Sequence, residues 1–187
     1  AYEIPKRDWS SDVCSSDLEA REGGGHSTAM TSAMVSARAR ALHDAAIVID
    51  GLTPYYTLDE PYTSSLIEGG ISGALLSIVS DATWDATLTR TEAALDKIAK
   101  SSLLMHATCA EDFRKAKAQG KVAMMFVTQA ADMLGKDLKR VGILHRLGFR
   151  ILGMCYTFAN LVGDGCGERR NAGLSFLGRD LVAAVDR

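Results

Sequence analysis

The sequence predicts an α/β fold with a parallel sheet, read as an incomplete (β/α) TIM-type barrel with about five βα units present. Two observations carry that prediction and a third narrows it. Short apolar runs recur along the chain, each ending in polar or turn residues, as strands buried on both faces do. Stretches of helical period separate them, so strand and helix alternate about five times. Neither a G-x-G-x-x-G after the first strand nor a G-x-x-x-x-G-K-[ST] occurs, so the nucleotide-binding versions of an open sheet lose their support. A complete barrel takes about 250 residues. The 187 here are therefore expected to supply its N-terminal part and to stop inside a helix.

Ala1–Leu18 reads AYEIPKRDWSSDVCSSDL, with no helical or strand period and no apolar stretch like that of a signal peptide. Asp8–Leu18 resembles the translation of a common short-read sequencing adapter, and Ala1–Ile4 resembles the matching upstream stretch. Residues 1–18 are thus expected to be an adapter-derived, disordered artefact. Residues 19–45 follow as a charged, Gly-rich lead-in and an N-terminal helix, with Ser27 as its cap and a course through Ala29, Met34, Ala37 and Ala41 to His43.

Residues 46–187 are expected to form the barrel portion. Its first strand is Ala46–Gly51, followed by Gly73–Val79, Leu103–Ala107, Val122–Thr128 and Phe149–Tyr156. Leu88, Thr91, Leu95, Ile98 and Ser102 make a helical stripe before the third strand. Cys109–Gln119 is a helix that Gly120 stops, and Leu138–Leu147 is one that Gly148 stops, because glycine takes a left-handed terminal conformation without strain. Leu174–Arg187 opens a last amphipathic helix through Leu177, Leu181, Val182 and Val185.

Composition sets the outer limits. The 21 Lys and Arg against 23 Asp and Glu leave no basic excess to neutralise phosphates, which argues against a nucleic-acid partner. The longest apolar runs, such as Val122–Val127, fall far short of the roughly 20 residues a membrane span needs, so no membrane partner is expected. Beyond the leading segment, Cys109, Cys155 and Cys166 form no C-x-x-C pair and no zinc-finger spacing. A reduced, cytoplasmic chain fits best, with each cysteine expected as a small buried hydrophobe.

In a barrel, chemistry sits at the C-terminal ends of the strands. Those ends hold Asp50, Ser80 with Asp81, His106, Gln129 with Asp132, and Tyr156 with Asn160 and Asp164. His106 is the only histidine among them and is expected to be satisfied by a neighbouring backbone group. His43 and His145 fall on helices and His26 in the lead-in. Metal hydrolases of this architecture usually place two ligands directly after the first strand, where this chain has Leu52, Thr53 and Pro54. Leucine and proline cannot coordinate zinc. No nucleophile elbow, H-E-x-x-H or paired-carboxylate signature is present.

Three stretches share a likeness. The strongest is N-L-V-G-D-G-C at Asn160–Cys166, followed by E-R-R-N-A-G-L-S at Glu168–Ser175 and by Gly178-Arg179. The second is Ile47-Val48-Ile49-Asp50-Gly51, and the third is Gly120–Ala123 leading into Gln129–Asp132. Together they resemble the membrane-type (renal) dipeptidases, zinc metallopeptidases with a barrel fold, over about Arg38–Arg187. The loop match is close without being letter-perfect, since the family's G-L-S-x-F-G-R becomes G-L-S-F-L-G-R here. The resemblance implies a zinc-dependent hydrolase of dipeptides or related amides, with a dipeptide-like small molecule as its partner.

It also implies where this chain departs. The family's first His and Asp ligands fall on Leu52 and Pro54, its metal-bridging Glu on Gln129, and a substrate-facing His on Tyr156. A divergent branch of the family, with D-G-L for D-G-H and Gln for Glu, is similar to this pattern. Asp50, Gln129, Tyr156, Asn160 and Asp164 are the implied site-lining residues, and no catalytic residue is assigned. Losing His, Asp and Glu removes the charge that binds the first metal, so this chain is expected to bind no zinc and to be inactive alone. The remaining family ligands, two histidines on later strands, are expected beyond Arg187. Two other readings stand beside this one. One is a metal-independent hydrolase or small-ligand-binding protein on the same barrel, using Tyr156, Gln129 and Asn160. The other is an inert fragment made unstable by open sheet edges.

Overall fold

Five parallel strands make one sheet: β1 Ile49–Thr53, β2 Gly73–Val79, β3 Leu104–Ala107, β4 Val122–Thr128 and β5 Phe149–Leu152. The structure, a computed structural model, describes residues 35–186. Residues 1–18, the lead-in and the expected Ser27 cap lie outside the described residues. Within them the first helix, α1 Ala37–Ala45, is capped by Ser36, whose Oγ accepts the Ala39 N–H at 3.2 Å.

β4 is the axis of the sheet. It pairs with β2 along one edge, from Gly73↔Ala123 to Val79↔Thr128. A strand has only two edges, so β3 and β5 share the other: β3 takes the first half, Leu104↔Val122 to Ala107↔Met125, and β5 the second, Phe126↔Phe149 to Thr128↔Leu152. The path that carries strand ends toward one rim is therefore β1-β2-β4-β5, with β3 added below β5 and not interposed between β2 and β4. The outer edges of β1 and β5 have no strand partner among the described residues, and the sheet is open.

β2 and β4 match the expected bounds, and β2 and β4 are buried almost throughout. β1 does not match. It begins three residues later than expected, because the Val48 carbonyl, which accepts the Ser72 and Gly73 N–H groups at 2.8 and 3.1 Å, marks where pairing starts. It is an edge strand with Ile49 and Leu52 half-exposed, so the apolar run does not signal full burial. β5 ends at Leu152, short of Tyr156, because Gly153 donates to the Thr128 carbonyl and the chain then turns away.

Helices cover the sheet. α3 Trp84–Lys100, capped by Thr83, buries Thr87, Thr91, Ala94 and Ile98. The expected stripe is thus rotated slightly: Thr91 and Ile98 are in the core, Leu88 and Leu95 flank it, and Ser102 lies past the helix. The Thr87 and Thr91 hydroxyls donate to the carbonyls four residues back, at 2.8 and 2.7 Å, which makes them tolerable inside. α4 Ala110–Ala118 and α5 Lys139–Arg146 end before Gly120 and Gly148, which take φ of 65° and 98° as helix-stopping glycines should. Two short elements escaped the sequence reading, α2 Tyr62–Glu68 and a 3-10 turn at Tyr55–Leu58, both too short to show a period. α6 Phe176–Val185 buries Gly178 and Leu181, but Val182 and Val185, expected on its inward stripe, are half-exposed, since no described element packs on that face.

The cysteine expectation also needs correction. Cys109 and Cys166 are exposed and Cys155 is only half-buried. Cys109 sits at the start of α4, where Asp112 accepts the Thr108 and Cys109 backbone N–H groups at 2.8 and 3.1 Å. Those donors, Thr108 foremost, hold the Asp112 carboxyl down at about 2. No described helix is long and apolar enough to cross a membrane.

Candidate active site at the strand ends

The C-terminal ends of β1, β2 and β4 open into a cavity of about 520 Å3. β1 and the turn after it contribute Leu52, Pro54, Tyr55 and Tyr56. β2 and the residue after it contribute Ser77 through Ser80, and Gln129 stands one residue past β4. Arg90 reaches in from α3, and Tyr156 from the loop after β5.

Each of these side chains is placed by local structure. Gln129 is pinned through its backbone: its N–H donates to the Val79 carbonyl at 3.0 Å. Gly153 packs so close that a Cβ there would lie 2.2 Å from the Gln129 carbonyl oxygen. Its amide Nε2 donates to Ser77 Oγ at 2.8 Å across the β2–β4 pair. The Arg90 guanidinium lies over the Tyr55 ring, 5.2 Å from its centre, and its Nη1 is 3.5 Å from the Ile78 carbonyl. The Tyr55 hydroxyl donates to the Arg90 carbonyl at 3.3 Å, so ring and helix hold each other. Tyr156 is 54% exposed and stands at the open mouth.

Gln129, Tyr156, Leu52 and Pro54 therefore meet in one cavity. The other expected lining residues do not. Asp50 faces its own strand, its carboxylate accepting the Leu52 N–H at 3.1 Å and the Thr53 hydroxyl at 2.8 Å. Asn160 folds the loop: its Oδ1 accepts the Val162 N–H at 2.9 Å, and its Nδ2 donates to the Met154 carbonyl and to Asp132 at 2.9 and 3.0 Å. Asp164 does the same further on, accepting the Ala172 N–H at 2.7 Å. The motif richest in likeness is thus scaffold, and its asparagine and aspartate stitch a loop together. Ser80 is at the rim, where its hydroxyl donates to Asp81 at 2.6 Å and holds that carboxyl below its ordinary value.

His106 is low in the sheet, level with Met124, because β3 pairs with the start of β4. Its ring stacks on Phe126 with centroids 4.4 Å apart, and its buried Nε2 has no hydrogen-bond partner, so the expected backbone partner is not found. Gly148 makes room for the ring: a Cβ there would sit 2.3 Å from it. Burial, and then the Arg150 charge, push the His106 pKa down from its ordinary 6.5. A histidine kept neutral in the fold but free to protonate when unfolded lowers stability as pH falls below its unfolded value. Denaturant midpoints are therefore expected to drop as pH is taken from about 7 to about 5, starting near 6.5, and His106→Leu is expected to flatten that fall. An unchanged slope in the variant would show that other groups cause it.

Sequence reading missed Arg90, Ser77, Tyr55 and Tyr56. Arg90 looks like any solvated helix charge, and the tyrosines sit in an element too short to detect. Ser77 did leave a signal, as the only polar residue inside the apolar run Gly73–Val79. A second cavity, of about 550 Å3, lies between α5, β5 and α6 and is lined by Leu138, Val141, Leu144, Phe149 and Ile151 among others. It is slightly larger and mainly apolar; its lining also includes His145 and Arg150, and the Arg150 guanidinium is spent on the Thr108, His145 and Phe149 carbonyls.

The donors around that cavity do not suit zinc. Zinc takes imidazole, thiolate or carboxylate at about 2.0–2.3 Å, whereas these walls offer hydroxyls, one amide and one guanidinium. Among the described residues no three His, Cys, Asp or Glu side chains are grouped so as to hold a metal ion.

A parallel α/β sheet with a polar cavity at its C-terminal strand ends is what an incomplete (β/α) barrel presents, although here β4 and not β3 lies beside β2. Within that class the family is settled by sequence: the profile of membrane dipeptidase (peptidase family M19) matches residues 36–187, and the chain belongs to that family. Solved structures agree on the fold. An amidohydrolase from Pseudomonas aeruginosa superposes with a TM-score of 0.76 at 34% identity, covering 79% of this chain and 45% of that one. The probable dipeptidase PvdM from Pseudomonas aeruginosa gives 0.64 at 22% identity, covering 78% and 46%. A Rhodobacter sphaeroides metallopeptidase, solved with a phosphinate mimic of the dipeptide L-Ala-D-Ala, gives 0.60 at 21% identity, covering 73% and 55%. The chain spans about half the length of these structures. Comparison with curated proteins gives no match.

Proposed function

We propose that the full-length protein hydrolyses a dipeptide or a related amide, and that the cavity at the ends of β1, β2 and β4 is part of its substrate site. One observation carries this reading: Leu52, Pro54, Gln129 and Tyr156, the positions on which the resemblance sets the family's first metal ligands and a substrate-facing histidine, line one cavity. Membership of a metallopeptidase family supports the reaction class, and so does the likeness to an amidohydrolase at 34% identity. In this reading residues 36–187 bind and orient substrate through Gln129, Ser77 and Tyr156. Any zinc, whose role in the family is to activate water, takes its ligands elsewhere.

The test is hydrolysis of a dipeptide panel by the full reading frame, with and without added zinc, beside the 187-residue chain. Turnover by the full frame alone, with no tightly held zinc in the 187-residue chain, is the expected result. One equivalent of zinc bound by the shorter chain would overturn the ligand assignment. The donor set favours a second reading, a metal-independent hydrolase or small-ligand-binding protein on the same barrel. Saturable ligand binding by the full frame without turnover would select the binding protein, and turnover indifferent to a chelator would select the metal-independent hydrolase.

A further inference from the structure

The buried run of β2 contains a side chain that the fold does not ask for. Ser77 is 6% exposed, lies between the fully buried Leu76 and Ile78, and stands opposite Val127 of β4. Alanine would fill that place with no hydroxyl to satisfy, and a hydroxyl is costly to bury without a partner. Among the described residues the Ser77 side chain makes one hydrogen bond, accepting from Gln129 Nε2 at 2.8 Å. Both residues line the strand-end cavity.

Gln129 depends on that bond. Its backbone is held from both sides, by the Val79 carbonyl and by Gly153. Its side-chain torsions are not, and fixing a glutamine side chain costs much rotamer freedom. Oε1 makes no hydrogen bond among the described residues and is not a buried atom. With Nε2 turned to Ser77, the carbonyl oxygen is therefore left to the cavity. The β2–β4 pairing also slips here: the two steps from Ser77 to Val79 meet the single step from Val127 to Thr128. A bulge of this kind re-aims side chains and is frequent beside active sites. A hydroxyl, finally, suits either occupant of position 129, since it accepts from an amide and, by rotating, donates to a carboxylate. The glutamine that stands where the resemblance sets a glutamate thus keeps a partner.

We propose that Ser77 is a positioning residue, acting through Gln129 by fixing its carboxamide with Oε1 toward the ligand in the cavity. This rests on the proposed substrate site and adds the group that orients its amide.

Two measurements test it. The first is NMR of the 187-residue chain, with the Gln129 side-chain amide signals assigned by their loss in Gln129→Ala. Ser77→Ala is expected to speed solvent exchange of the more protected Gln129 amide proton about tenfold, the worth of one hydrogen bond, and Ser77→Thr to recover most of the protection. The denaturant midpoint of Ser77→Ala is expected to hold or rise, because a buried hydroxyl is removed. Unchanged exchange overturns the proposal, and so does a midpoint that falls as for a core truncation, which would make Ser77 a residue of the fold alone. The second is kcat/KM of the full reading frame on the dipeptide panel. Ser77→Ala is expected to lower it about tenfold, Gln129→Ala at least as much, and the double variant no further than Gln129→Ala alone, as for residues acting as a unit. Turnover indifferent to Ser77→Ala, or losses that add, overturn the proposal. No turnover by the unsubstituted full frame removes the hydrolase reading instead, and amide exchange controlled by Ser77 then leaves this proposal standing for a binding site.

Discussion

Gly178→Ala is expected to cost the fold about 3 kcal/mol, the upper range for overpacking where no side chain can rotate away. Gly178 is buried in the first turn of α6, and a Cβ there would lie 2.0 Å from the Val162 carbonyl oxygen and 3.0 Å from its carbon. Both are backbone atoms, so relief requires the helix or the loop to move. Neither is free. Ser175 donates its N–H to the Val162 carbonyl at 2.9 Å and its hydroxyl to the Leu161 carbonyl at 2.7 Å, and its Oγ accepts the Gly178 N–H at 3.0 Å. Denaturant titration of the variant should show an early, cooperative loss of structure, while Arg179→Ala on the exposed side shifts the midpoint little. A cost below about 1 kcal/mol for Gly178→Ala would mean that the helix does not approach the loop as described.

The second expectation concerns metal. Leu52→His, Pro54→Asp and Gln129→Glu together are expected to turn a cavity that does not retain zinc into one that holds about one equivalent through gel filtration, since three protein donors are enough for a zinc site. All three positions line the same cavity. Pro54 precedes the 3-10 turn in extended conformation, φ −67° and ψ 154°, a backbone that aspartate adopts readily. Arg90 opposes the new ion, so adding Arg90→Gln should tighten binding further. Metal analysis of the wild type and of the two combined variants checks the order. A triple variant no better than the wild type would sink the idea that these positions converge.

Much of this was legible in the chain, and the limits have physical causes. β2 and β4 were visible at their true bounds because strands covered on both faces leave unbroken apolar runs. β1 was misplaced because most of its apolar run, Ala46–Val48, precedes the paired residues instead of marking them. The order of pairing was not legible, since alternation of strand and helix says nothing about which edges meet, and β3 has only four residues. Gln129 and Tyr156 were picked as strand-end residues and again by likeness to a family, as were the positions Leu52 and Pro54 after the first strand, and the structure places all four around one cavity. Asp50, Asn160 and Asp164, chosen by the same route, lie outside that cavity and make local hydrogen bonds. Arg90 was out of reach because a helix charge gives no sign of which strand end it will overhang.

The crossover in the sheet has a consequence for the chain as it is made. β2 offers an apolar edge as soon as Val79 has emerged, but its partner on that side is β4, completed only at Thr128, roughly fifty residues later. At about 5–20 residues per second that edge waits some 2–10 s on the ribosome. In the meantime β3 emerges and cannot cover it, because β3 belongs to the far edge of a strand not yet synthesised. An unpaired, apolar parallel edge invites strands from other chains. Holding factors that bind nascent segments should therefore engage this protein most strongly between the synthesis of β2 and that of β4, and slowing translation within α3 or α4 should increase its aggregation.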